Sequence, residues 1–354
     1  VVAGDVTVGD DNVDTAGIID VASGSTMSGL ETLDQTAGTI RGGGTIGVTG
    51  LFQQSGGVTA GTIDINSGSF TQSGGLTTVL AAGTTVTSAG AQALNGGTIA
   101  GNLDGAGTIT VGSGTTSLTG AITNATNAPT TNAGLIVSGG TLNETGLGSI
   151  DTDNNLITVS SGTLSTDGDG IANDEAVTVS GTGILSITGT DTIAALTQTG
   201  GTVQGGSVLS TGTFNQSGAA ATTQLASGTT VSASGLSTLE GGTIAGTLGG
   251  VGNKTVQTGT TELTGTISGG ALTVSGTGPG VLNFNDGTLN SSLVMDGGTV
   301  STESGSTTNT INNASTTLAS SDSTILAATG TELSVTSGTI LTGGAELTIG
   351  NAAD

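Results

Sequence analysis

The side chains best suited to chemistry are gathered in one run, STDGDGIANDE at 165–175. There Asp167, Asp169, Asn173, Asp174 and Glu175 crowd oxygen atoms around Gly168 and Gly170. Hard Ca2+ takes about six to eight oxygen ligands on a flexible loop, and this composition offers them. The competing reading is a polar turn in which Asp and Gly serve turn geometry. DTDNN (151–155) and DDNVD (10–14) are weaker versions of the same run. No other residue pattern calls for a cofactor, so none is required and Ca2+ is the one candidate.

What the chain lacks narrows the chemistry further. Its 354 residues include no His, Cys, Trp or Tyr. Without His, neither a Ser/His/Asp nor a Cys/His nucleophile can be assembled. Zinc loses both of its preferred ligands, and no disulfide can form. Paired carboxylates for glycoside hydrolysis are present in the composition, but the aromatic platforms of sugar clefts are not. Lys and Arg total two, Arg41 and Lys254, against 26 acidic residues, for a net charge of −24. That balance rules out nucleic-acid binding through phosphates and attachment to an anionic membrane. Lys254, in GGVGNKTV, reads as an ordinary surface substitution. No run of 18 apolar residues exists to form a transmembrane helix. Sequons at Asn124, Asn143, Asn215, Asn253, Asn290 and Asn313 are accounted for by chance in a chain this rich in Ser and Thr.

The elements that must position any site are repeats. Residues 81–123 return at 226–268 without a gap, 145 positions later. Upstream the match continues with a shift: Gln35 matches Gln198 at a separation of 163, and Phe52 matches Phe214 at 162. The first copy therefore holds about 17 or 18 extra residues, visible as VTAGTIDINSGSFTQSGG at 58–75. A unit gained or lost while its flanks keep register behaves as a solenoid coil, which touches only its neighbours.

The coil is built of strands. Gly-Thr-Ile, Gly-Thr-Val and Gly-Thr-Leu recur, and Ile-Thr-Val at 109–111 alternates apolar and hydroxyl residues. Period two with β-branched residues describes a strand with one buried face, and the Gly, Asn and Ser clusters supply turns. Sixty-eight glycines disfavour long helices. Two prolines without a Gly triplet exclude collagen. The apolar fraction of 33% and the regular Val/Ile/Leu spacing argue against disorder. The expected fold is all-β: a right-handed parallel β-helix (β-solenoid) of about 18–22 residues per coil, rising ~4.8 Å per coil into a rod of roughly 80–95 Å. One elongated domain, 1–354, is expected, with a loop-rich stretch at about 124–175 that opens on NATNAPTTNAG (124–134) around Pro129. The two ends, AGDVTVGDDN and GAELTIGNAA, resemble one another. That predicts a piece of a longer protein, or copies joined end to end.

Two resemblances follow. STDGDGIANDE resembles the DxDGDGIxD calcium loops of thrombospondin type 3 repeats, departing at Ser165 and Asn173. GGTIAG (96–101, 241–246) and LITVSSGTL (156–164) give nearly the whole chain the style of bacterial surface β-strand repeats. Filamentous-haemagglutinin-like adhesins and autotransporter passenger domains are of this kind. That resemblance implies secretion to the cell surface and a role in scaffolding or adhesion; it does not imply a catalytic residue. The expected function is a non-enzymatic extracellular rod or filament subunit with self-association as its partner. The alternative is an adhesin stalk whose side loops bind a cell-surface or glycan receptor. A carbohydrate-active β-helix enzyme is the remote third.

Overall fold

The computed structural model describes residues 4, 6–123, 133–146, 148–153, 155–278, 280–312, 316–318, 321–337, 340–341 and 345–351. Among them the chain is all-β without helices, its parallel strands stacked as a β-solenoid of about 15 turns. Residues Val1–Val177 and Thr178–Asp354 form two compact units.

The alternation read from the sequence becomes the burial pattern. In Thr85–Ser88, Leu156–Val159 and Thr230–Ala233 the second and fourth residues of the strand are buried and the first and third half-buried. A turn carries up to three short strands, as in Gln92–Asn95 and Gly97–Ile99 following Thr85–Ser88. Each strand pairs in parallel with its equivalent one turn away, so three faces enclose a narrow core.

In the first unit, one face stacks Ile65, Val86, Leu103, Ile122 and Ile150 in register. The next stacks Phe52, Phe70, Gln92, Ile109, Leu135 and Ile157. In the second unit the first face stacks Leu209, Val231, Leu248, Ile267, Leu289 and Ile311. Nearly all of these side chains are fully buried. Each buried Leu, Ile or Val contributes about 1.5–3 kcal/mol relative to exposure. A one-residue slip would turn a whole strand's apolar set outward, so the pattern specifies the register.

Turn length varies more than the expected 18–22 residues. Leu94 pairs with Val111, 17 positions on, and Val111 with Val137, 26 on. The long turn contains 124–132, so Pro129 and most of the expected loop lie outside the described residues; Ala133 and Gly134 already belong to strand Ala133–Val137. The rest of 124–175 is ordinary coil, with strands Thr141–Glu144, Ser149–Asp151, Leu156–Val159 and Thr163–Thr166. The extra text at 58–75 supplies Val58–Gly61, Asp64–Ser67 and Ser69–Ser73, the three strands of one coil.

A buried polar ladder records that insertion. Gln54 Nε2 donates to Gln35 Oε1 at 3.0 Å, and Gln72 Nε2 donates to Gln54 Oε1 at 2.9 Å. In the second unit Gln216 Nε2 donates to Gln198 Oε1 at 3.0 Å. The first ladder has three rungs and the second two. Both stop against an apolar residue, Leu94 after Gln72 and Leu239 after Gln216. At the last rung the glutamine packs on a glycine in the left-handed region, Gly97 (φ 111°) or Gly242 (φ 86°). A Cβ there would come within 2.7 Å of Gln72 Oε1 or 2.8 Å of Gln216 Cδ, so only glycine fits.

Candidate functional site

The run 165–175 is divided by its own backbone. Thr166 ends the strand Thr163–Thr166 and points inward, after which Asp167 and Asp169 are exposed. Asp169 takes a left-handed φ of 49°, a conformation that Asp tolerates in turns. Ile171 then returns to the core and bridges to Ile150. Asn173 and Asp174 are exposed, but Glu175 is fully buried. Its Oε1 accepts from Thr152 N at 2.6 Å and its Oε2 from Thr152 Oγ1 at 2.5 Å. Asp167 Oδ2 accepts from Gly146 N at 2.8 Å, while Asp167 N donates to Glu144 Oε2 at 3.1 Å. Three carboxylates, Glu144, Asp167 and Glu175, therefore fasten this turn to the coil before it, and Glu175 is turned to the core rather than to the exposed oxygens. Among the described residues no three or more Asp, Glu, His or Cys side chains gather to hold a metal. In DTDNN, Asp151 Oδ1 accepts from Asp153 N at 3.0 Å, an ordinary Asx turn. The side chains of DDNVD lie outside the described residues.

Lys254 corrects the surface reading. It is fully buried, in register between Ser237 and Leu272. The 145-residue offset sets it against Ile109, an inward core position. Its Nζ donates to Gly252 O at 2.8 Å and to Gly250 O at 3.2 Å. The aliphatic stem fills the place of the isoleucine, and two turn carbonyls receive the ammonium. Desolvation holds its pKa below the usual lysine value. The signal was present in the sequence, because the gapless match already placed a lysine on an apolar rung.

The second unit also carries a concavity of about 420 Å3 at one corner, over Gly218, Gly241 and Gly259. Glu240, Glu262 and Glu303 line it together with Asn283 and Asn285. Asn285 Nδ2 donates to Glu262 Oε1 at 2.8 Å, and Asn283 Nδ2 to Glu303 Oε2 at 2.6 Å. Ser301 Oγ donates to Asn283 Oδ1 at 2.9 Å. The corner thus presents carboxylates and amides without an aromatic surface. Sequence reasoning missed it because the three glutamates come from three different coils, with Asn283 on the coil between Glu262 and Glu303, and only coil register reveals their adjacency. Beside it, Asp286 (φ 62°) accepts from Thr308 N at 2.8 Å and Thr307 N at 2.5 Å, which hold its carboxyl below the usual range.

Comparison with family models, curated proteins and solved structures found no match to the chain.

Proposed function

We propose that the chain is a non-enzymatic extracellular structural protein: a stiff β-solenoid rod, or a filament subunit that joins copies end to end, on or outside a bacterial cell. The observation that carries the reading is the core. Side-chain ladders run coil after coil in each unit, and one inserted coil extended the glutamine ladder by a rung without disturbing its flanks. Sequence of this kind varies length. Any parallel stack also offers unpaired N–H and C=O groups at its outer coils, and pairing one stack with another extends both. Negative-stain microscopy of purified chain tests this. Elongated particles lengthening with concentration are expected; compact particles, or short rods of constant length, overturn the filament.

A second reading is an adhesin stalk that binds a glycan, favoured by the carboxylate–amide concavity at Glu240, Glu262, Glu303, Asn283 and Asn285. Carboxylates and amides are the hydrogen-bonding partners that sugar hydroxyls need. A glycan array probed with the chain and with Asn283→Ala/Asn285→Ala decides it. Binding lost in the variant supports the stalk, and no binding by the parent chain removes it.

A further inference from the structure

We propose that the first face of the second unit, with the bend that follows it, is a lateral docking surface for a second copy of this chain. The inference deepens the filament reading and rests on it for its partner.

Four observations converge. First, the face carries an outward hydroxyl column: Thr230, Thr247, Thr266, Thr288 and Thr310 pair in register on successive coils. A parallel column of Ser, Gly and Asn runs two positions on, through Ser232, Ser268 and Asn290. Second, no outward position of these strands from Val208 to Asn312 is acidic, in a chain of net charge −24. Third, large apolar side chains stand exposed along this side: Val208 at 38%, Leu236 at 54% and Val251 at 82%. Fourth, the bend holds a concavity of about 300 Å3 lined by Ser, Thr, Gly and Ala residues with Ile193 and Val251.

The first unit has a similar concavity of about 350 Å3 at the equivalent bend, from Ser28 to Ala89, but the internal duplication shows that the missing charge and the exposed apolar side chains are particular to the second unit. Asp64, which pairs with Thr85, corresponds to Val208, which pairs with Thr230. At the offset of 145, Asp104 becomes Gly249, Ala91 becomes Leu236 and Ala106 becomes Val251. Over the same span Asn95 becomes Glu240 and Ser117 becomes Glu262. Relative to the first copy, the second is without charge and richer in apolar surface on this side, and its carboxylates stand at the opposite corner.

The occupant follows from charge and spacing. A basic partner would be drawn to the glutamate corner. Two polyanionic copies repel each other everywhere except where carboxylates are missing, and salt weakens that repulsion beyond about 8–10 Å. Hydroxyls both donate and accept. One rung per coil, about 4.8 Å apart, matches only a surface of the same period, which another copy provides.

The test is sedimentation velocity of the full chain across concentration, at low and at moderate salt. Association that strengthens with salt is expected, abolished in Val251→Asp/Thr266→Asp and unchanged in the first-unit counterpart Ala106→Asp/Ala121→Asp. A spin label on Val251→Cys should broaden on association, and one on Ala106→Cys should not; the chain has no other Cys, and this readout needs no buried charge. A chain monomeric at every concentration and salt, association surviving in Val251→Asp/Thr266→Asp, or equal loss in both aspartate pairs overturns the proposal. Microscopy separates it from the filament reading. Single-width filaments from Val251→Asp/Thr266→Asp support both. Compact wild-type particles that still pair through this face defeat the filament alone.

Discussion

Lys254 shows how much one residue's register decides. Its ammonium is held in the core by two carbonyls and no carboxylate, so desolvation favours the neutral amine and lowers its pKa. A folded-state pKa below the unfolded value of about 10.4 means that the unfolded chain binds more protons between those values. Stability therefore rises with pH through that window and carries the full penalty below it. Lys254→Ile, restoring the residue of the earlier copy, should stabilise the fold by on the order of 1–2 kcal/mol at neutral pH. The advantage should narrow as pH approaches 10.4. Denaturant unfolding at pH 7 and 10 checks both statements, and an equal or lower midpoint for the variant at pH 7 contradicts them. The ladder behaves oppositely. Gln54 sits between two partners, so Gln54→Leu leaves Gln35 Oε1 without one of its donors and Gln72 Nε2 without its acceptor on that rung. The expected loss is about 2–4 kcal/mol, read as a lowered unfolding midpoint.

At the level of elements, the coil is the unit that tolerates change. Gln54 and Gln72 occupy one register position 18 residues apart. Deleting 55–72 joins Gln54 to Ser73 and removes one coil with its strands intact on either side. The shortened chain should fold with a native-like β circular-dichroism spectrum and a two-rung ladder, as in the second unit. Deleting half that length should not give a folded chain, because it breaks the register of every following strand. The turn at 165–175 is an element too. With Glu175 committed to Thr152 and Asp167 to Gly146, EDTA should leave the melting temperature unchanged. A drop in EDTA that Asp167→Ala abolishes would instead establish a stabilising calcium site. Strand identity, parallel stacking and the inserted coil were legible in the sequence because period two and the 145-residue match report directly on register. The burial of Lys254 was legible in its match to Ile109, but the commitment of Glu175 and the glutamate corner were not. Each depends on which residues lie at coil-register distance, and one coil varies from 17 to 28 residues.

For the molecule as a whole, charge is the variable that governs encounters between copies. A chain of net charge −24 with a pI near 4.1 resists its own kind at neutral pH and low salt. Lowering pH toward the pI, or adding salt, should increase light scattering reversibly, before any loss of β signal. Scattering that tracks unfolding would place the cause in denaturation. The glutamine ladder adds a constraint of another kind. In each of these three Gln–Gln bonds the later amide donates to the earlier carbonyl, so the amides face one way along each ladder. The core is therefore an arrow. A new coil can lengthen the row only by arriving in the same sense, since a reversed one would set donor against donor or acceptor against acceptor. Growth of such a body has a built-in direction, written in the interior rather than on the surface.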